Sequence, residues 1–431
     1  MYNGFKPQRG ETMSAETSAT PTANGEMQTT DSGFYPLRFD RMEIAGSLGD
    51  LGTLLPLAIG MILVCGLSPV GLFLSVGLFY IASGLFFRVT VPVQPMKVVS
   101  AYAIAAGVSA VQVEAAGLLI GLLMVVIGAT GLITAVGRVI PKSAIRGVQL
   151  STGVLLMAEG VRFMIGTARF QEIRGAAEPW LAVQRLGPLP IGVVIGVVGA
   201  ILTFMLLENR KMPAGQVVIL FGLALGLALG THEGWDGFRA GLTLPTFLPD
   251  GLPGRMDLGA AILFLVLPQV PMTVGNAVMA YSDLSADYFG PAGRRVTYRS
   301  ACVSMGLANL FSSLVGGMPM CHGAGGLAAH YRFGARTAGS NLIIGGAFVA
   351  LALFLGEHVL TLFYLLPMSI LGVLLFFAGT QLGLTAGDLQ TRKDLFVALT
   401  ILGITLATNL AAAFAVGIAA AYALKSEKFQ V

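Results

Sequence analysis

The stretch GGMPMCHGAGG, residues 316–326, interrupts an otherwise strongly apolar chain, and its reading decides the fold. Five glycines and Pro319 in eleven residues disfavour a continuous helix. His322 is too polar for a lipid-facing surface. Irregular backbone of this kind is tolerated at membrane depth only where protein buries it or where it lines a wet cavity.

The surrounding composition places the stretch in a membrane. Hydrophobic residues make up 55% of the 431-residue chain, charged residues only 11%, and the mean hydropathy is +0.79. Soluble domains carry about a quarter charged residues, so the chain reads as an all-α polytopic membrane protein. Residues 1–38, rich in Ser, Thr, Gly, Glu and Pro, are expected to form a disordered tail, and residues 425–431 a short second one. The first tail lacks the apolar core of a secretory signal. Cys65, Cys302 and Cys321 are too scattered for a disulfide framework or a zinc site. The net charge of +4 follows from loop topology and calls for no nucleic-acid partner.

Fourteen apolar segments can be read, several shorter than the roughly 20 residues of a simple span. The first seven begin near Gly46, Val70, Gln94, Glu114, Ser143, Ile191 and Gly215, and the second seven near Leu258, Tyr298, Met320, Asn341, Pro367, Asp394 and Leu410. With both termini cytoplasmic, most of the 26 basic residues fall inside, among them Arg138, Lys142, Arg146, Arg210, Lys211, Arg294, Arg295, Arg332, Arg336, Arg392 and Lys393. That is the positive-inside pattern. Lys97 falls within a span.

The chain also resembles itself. VPVQPMK (91–97) aligns with GGMPMCH (316–322), setting Pro95 over Pro319 at an offset of 224 residues. IPKSAIRGV (140–148) aligns with LPMSILGV (366–373), setting Pro141 over Pro367 at 226. Seven spans per half is an odd number, so the repeats, 39–230 and 256–424, are expected to be inverted. Inverted repeats with broken helices at the substrate site are a plan of secondary transporters.

The two Pro-Met segments are expected to be those broken helices, in spans 3 and 10. RVTVPVQ (88–94) is β-branched and broken by Pro92, which favours extended backbone. The helix-compatible stretch after Pro95 runs to Gly107, about 15 Å at 1.5 Å per residue, half of the hydrocarbon layer. Two helix N-termini meeting near the midplane offer unpaired N–H donors and positive dipole ends, which suit an oxygen-rich anion. Gln94, Met96, Lys97, Cys321, His322 and Gly323 therefore enter the candidate substrate site, with Thr53 from span 1 and Gln269 and Asn276 from span 8. The last two, seven residues apart, share a helical face.

Each has a plainer reading. Lys97 could snorkel or pair with a carboxylate, His322 could cap a helix, and Met96 and Cys321 could simply pack. Mid-span position favours function for Lys97. Asp50, His322 and Asp283 are the proton-coupling candidates. No nucleophile–base–orienter set or hydrolase motif emerges, so no enzymatic activity, cofactor or bound metal is expected.

GSLGDLGTLLPL, VPVQPMK, LPQVPMTVGNA and GGMPMCHGAGGLAAHYRFGART together resemble the molybdate transporter family within the sulfate permease superfamily, over about 39–424. The resemblance implies two inverted seven-helix repeats divided into a core domain (the first four spans of each half) and a gate domain (the last three). It further implies uptake of molybdate, and of tungstate, between spans 3 and 10, in the cell (inner) membrane. Sulfate permeases usually carry a cytoplasmic STAS domain, which is not expected after Leu424. A homodimer is common in the superfamily, with no contact face indicated. Rival readings are a sulfate or other oxyanion permease, an anion channel, and a non-transporting receptor.

Overall fold

A computed structural model of the chain describes residues 33–133, 135, 139–207, 209, 213–239 and 241–425. Most of the expected tails, and Arg138, Arg210 and Lys211 of the charge argument, lie outside the described residues.

The fold is helical. In chain order, after a short turn of helix at Arg41–Ser47, come α1 (Leu51–Gly60), α2 (Pro69–Phe87), α3 (Lys97–Ala106), α4 (Ala110–Thr130), α5 (Lys142–Ile165), α6 (Ile191–Leu206) and α7 (Ala214–Leu229). Then follow α8 (Arg255–Gly293), α9 (Tyr298–Leu314), α10 (Ala324–Arg332), α11 (Ala338–Leu355), α12 (Met368–Leu384), α13 (Arg392–Ala407) and α14 (Leu410–Ala423). Among the described residues, six helical segments are long and apolar enough to cross a membrane, or seven when the bent segment 41–65 is included. Four strands of two residues each complete the set: β1 (Gln94–Pro95), β2 (Arg185–Leu186), β3 (Leu189–Pro190) and β4 (Met320–Cys321). The first and last pair antiparallel, as do the middle two, which form a hairpin.

Local chemistry sets the helix ends. Ser68 accepts from Gly71 N at the start of α2, with Pro69 at its first position, where a missing N–H is harmless. Inside α8, Pro268 and Pro271 cannot donate, and the helix widens to π geometry at Ala261–Val266 and Thr273–Ala280.

Close helix packing rests on facing glycines. Gly77 of α2 meets Gly345 of α11, Gly121 of α4 meets Gly306 of α9, and Gly153 and Gly160 of α5 meet Gly379 and Gly372 of α12. A Cβ on any of these would come within about 3 Å of the partner's carbonyl oxygen. Small residues at such crossings let helices associate in lipid, where apolar burial supplies no driving force.

The extended stretches before α3 and α10 are satisfied by side chains from these paired helices. Asn341 of α11 accepts from Val91 N (2.9 Å) and donates to Val91 O (2.8 Å) and Tyr80 O (3.1 Å), while Tyr80 donates to Val93 O. Asn309 of α9 does the same for the second stretch, accepting from Met320 N (2.6 Å) and donating to Met320 O (2.8 Å). Two buried asparagines thus stand in for water on backbone that no helix satisfies.

Candidate functional site

The β1–β4 pair brings the two Pro-Met segments together: Gln94 lies opposite Cys321, Pro95 lies opposite Met320, and Met96 N donates to Pro319 O at 2.9 Å. Immediately after each strand a short helix begins, α3 at Lys97 and α10 at Ala324. The two helix starts are chemically unequal.

The start of α3 is stoppered. Gln269 Oε1 accepts from Val98 N (3.0 Å) and Val99 N (3.3 Å), and Gln269 Nε2 donates to Thr273 Oγ1 (3.0 Å). Those two amides are engaged by α8, and Gln269 itself is fully buried. The start of α10 has no side-chain cap. Its exposed Gly325 faces a cavity of about 390 Å³, and a Cβ there would meet nothing within 4 Å.

That cavity is also lined by Thr53, Lys97 and Asn276. Lys97 makes no hydrogen bond or ion pair within 4 Å among the described residues; Asp50 is the carboxylate whose charge it feels. Asp50 is buried beside Gln94 and Thr53, and its Oδ2 has no hydrogen-bond partner. Gln94 Oε1 is likewise without a partner. Both side chains press on the α10 turn, since a Cβ on Gly326 would lie 2.6 Å from Asp50 Oδ2 and one on Gly323 would lie 1.8 Å from Gln94 Oε1.

The far wall holds residues that the sequence reading did not single out: Gln149 from α5, Thr203 from α6, and Gln381 and Thr385 at the end of α12. Their signal was available, since each is a polar residue in or at the end of an apolar segment. Thr385 donates to Gln149 Oε1 (2.9 Å), as does Arg146 Nη1 (2.7 Å). Arg146 also holds Asp388 in a two-toothed pair (2.8 and 2.5 Å).

Several expected site residues do not reach this cavity. His322 is fully buried, its Nδ1 bonded to Pro92 O (2.9 Å) and Nε2 to Ser304 Oγ (2.8 Å), boxed by Phe79, Phe87 and Tyr281. Both ring nitrogens are engaged, so its visible work is to fasten the first extended stretch to α9. Met96 and Cys321 are buried at the strand crossing, and Cys321 Sγ contacts Pro95 O. Asp283 is exposed near the end of α8 and accepts from Tyr298 OH (2.7 Å), away from the cavity. A second cavity, of about 330 Å³ and lined by Leu51, Phe73, Phe348 and Leu366 among other apolar residues, offers nothing to pair with an anion.

The cavity thus gathers an uncapped helix start, an unpaired lysine and neutral hydrogen-bonding side chains. A family model described as "Molybdate transporter of MFS superfamily" matches residues 42–156 and 261–382. Molybdate transporter 1 of Arabidopsis thaliana is 30% identical over 394 residues, covering 87% of this chain and 86% of that protein. Molybdate transporter 1 of Chlamydomonas reinhardtii is 29% identical, covering 87% and 90%. Among solved structures, the transmembrane domain of the cyanobacterial bicarbonate transporter BicA superposes with a TM-score of 0.60 at 17% identity, covering 88% of this chain and 97% of that one. The murine Slc26a9 anion transporter superposes at 0.61 with 14% identity, covering 93% and 70%. These last two show a shared fold. The chain belongs to the molybdate transporter family.

Proposed function

We propose that the chain is a secondary active transporter importing molybdate and tungstate by alternating access. In this reading it has fourteen spans in two inverted seven-helix repeats, both termini are cytoplasmic, and spans 3 and 10 are broken. The glycine pairs support the twofold relation: α2 with α11 becomes α9 with α4 when the halves exchange, while α5 pairs with α12 and β1 with β4 across the axis. Gly153 and Gly379 face each other at the same 226-residue offset as Pro141 and Pro367.

The single observation that carries the function is Lys97, an unpaired cation in the cavity wall opposite the uncapped start of α10. A tetrahedral dianion fits between them, accepting from the first amides of α10 and from Lys97, with Thr53 and Asn276 completing its shell. Gln269 acts one step back, by stoppering α3 and holding it in place. Gln94 positions the α10 turn. Thr53, Lys97, Asn276 and Gly325 come from the proposed core and Gln149, Thr203, Gln381 and Thr385 from the proposed gate, so sliding one past the other would carry the anion across.

Moving a dianion into a negative-inside cell costs roughly 4.6 kcal/mol at 100 mV. Asp50 supplies the coupling: its unpartnered oxygen lies at the helix start that would receive the substrate, and two like charges there repel. Protonating Asp50 removes that repulsion, so proton and molybdate load together.

The test is uptake by proteoliposomes of molybdate, tungstate and sulfate, with and without an imposed pH gradient. Accumulation driven by an acidic exterior, inhibited by tungstate and little affected by excess sulfate, is expected. Equal inhibition by sulfate would make the chain a broader oxyanion permease, and flux indifferent to the gradient would make it a channel. Binding without entry would make it a receptor.

A further inference from the structure

The aligned segments 140–148 and 366–373 each begin a long helix after a proline, α5 after Pro141 and α12 after Pro367. The two helix starts are finished differently. At α12, the amides of Met368 and Ser369 donate to Glu178 Oε2 (2.8 Å) and Oε1 (2.9 Å), so one buried carboxylate straddles the first two N–H groups. Such an anion satisfies donors that no helical carbonyl can reach and opposes the positive end of the dipole.

At α5 no side chain caps the corresponding amides, those of Lys142 and Ser143. They open instead on a cavity of about 460 Å³ that is also lined by Thr391, Lys393, Asp394 and Lys425. Ser143 is 4% exposed, and its hydroxyl has no hydrogen-bond partner among the described residues. Lys393 Nζ donates to Leu424 O (2.9 Å) and Lys425 Nζ stands over the Tyr422 ring, but neither has a carboxylate partner among the described residues. Lys142 reaches Asp388 at 3.0 Å, and Asp388 is already held by Arg146. The one carboxylate in the wall, Asp394, accepts from Thr391 Oγ1 (2.7 Å) and Thr391 Oγ1 accepts from Asp394 N, which finishes the α13 start internally. With Lys142 paired to Asp388, the two remaining ammonium groups, Lys393 and Lys425, against the one engaged carboxylate leave the cavity positive.

We propose that this cavity binds a phosphate group, which does for α5 what Glu178 does for α12. The phosphate oxygens would accept from the Lys142 and Ser143 amides and the Ser143 hydroxyl, while Lys393 and Lys425 balance its charge. The cavity lies where the ends of α5, α13 and α14 meet. A phosphate there comes from an anionic phospholipid or from a free phosphate-bearing solute.

Thermal melting of the purified full chain in detergent separates the outcomes, with phosphatidylglycerol, phosphatidylcholine or inorganic phosphate added. The variants are Ser143→Ala and the double change Lys393→Gln with Lys425→Gln, all leaving the Arg146–Asp388 pair intact. Stabilisation by phosphatidylglycerol, with a midpoint at least tenfold weaker in the double variant and weaker in Ser143→Ala, is expected. A response to phosphatidylglycerol alone assigns a lipid headgroup, and an equal response to inorganic phosphate assigns a free solute. No response to either, or a response undiminished in both variants, overturns the proposal. Glu178→Gln serves as the control, since it alters the other helix start and should leave the midpoint unchanged.

Discussion

Gly325→Ala isolates substrate contact from folding. A Cβ at position 325 would meet no protein atom within 4 Å, because the residue faces the cavity beside Lys97. Folding should therefore be unharmed, and α10 should gain up to about 1 kcal/mol from exchanging glycine for alanine. The new methyl occupies the space through which an oxyanion would approach the first amides of α10. Losing one hydrogen bond to a charged group costs about 1.5–3 kcal/mol, or roughly 10- to 150-fold in affinity. Molybdate uptake by proteoliposomes should show a rise in KM of that order, with the melting temperature equal to or above that of the unaltered chain. Gly326→Ala, one residue on, is the opposite case. Its Cβ would lie 2.6 Å from Asp50 Oδ2, 2.7 Å from Gln94 Nε2 and 2.8 Å from Pro92 Cβ, so it should lower the melting temperature. An unchanged KM in a well-folded Gly325→Ala protein would place the anion away from the α10 start and refute the reasoning.

Lys97→Ala should reduce molybdate uptake by more than about tenfold at unchanged expression, because Lys97 makes no hydrogen bond or ion pair within 4 Å among the described residues that its removal would break; uptake that survives would remove Lys97 from the site. Asp50→Asn should leave molybdate binding intact while making uptake indifferent to an imposed pH gradient, as measured by the ratio of initial rates with and without it. Outside the membrane-spanning segments, burial pushes the Glu178 carboxyl up from 4.5 to about 7, against the pull of Ser369 and the Met368 amide. A raised carboxyl favours the folded state most below pH 4.5, and that contribution, about 3 kcal/mol, is lost as pH rises to about 7. Melting temperature should thus fall between those limits, and Glu178→Gln should flatten the slope.

Much of the fold was legible because membrane depth restricts what backbone can do. Pro95 and Pro319 sit where apolar segments turn glycine-rich or β-branched, and those signals located the two strands and the helices that follow them. The satisfaction of those strands was not legible, since nothing near residue 91 announces Asn341, and nothing in the alignment names Asn309 as its counterpart. Contacts also differ from equivalences. The repeat sets Pro95 over Pro319, but the antiparallel strands put Pro95 opposite Met320, because residues related by a twofold axis need not touch. His322 stands out in the sequence as a polar ring among glycines, and nothing near it announces the three aromatic side chains from α2 and α8 that surround it.

The deeper reason the site was only partly readable is that the repeat predicts symmetry and the chemistry lies in its breaking. Two like helix starts on the twofold axis would make two like half-sites. Gln269 removes one of them by taking the Val98 and Val99 amides, while the other keeps its donors and acquires Asp50 as a neighbour. A symmetric pair of dipole ends could hold an anion but could not tell when to release it. One occupied start gives a fixed floor, with Lys97 projecting from it. One open start beside a carboxylate would, in the proposed mechanism, give an affinity that depends on a proton. The same logic recurs at the starts of α5 and α12, where the α12 start receives the Glu178 carboxylate from the other half and the α5 start has no side-chain cap. In both places a single side chain, Gln269 or Glu178, takes the first amides of one helix of an aligned pair, while the other helix start has no side-chain cap.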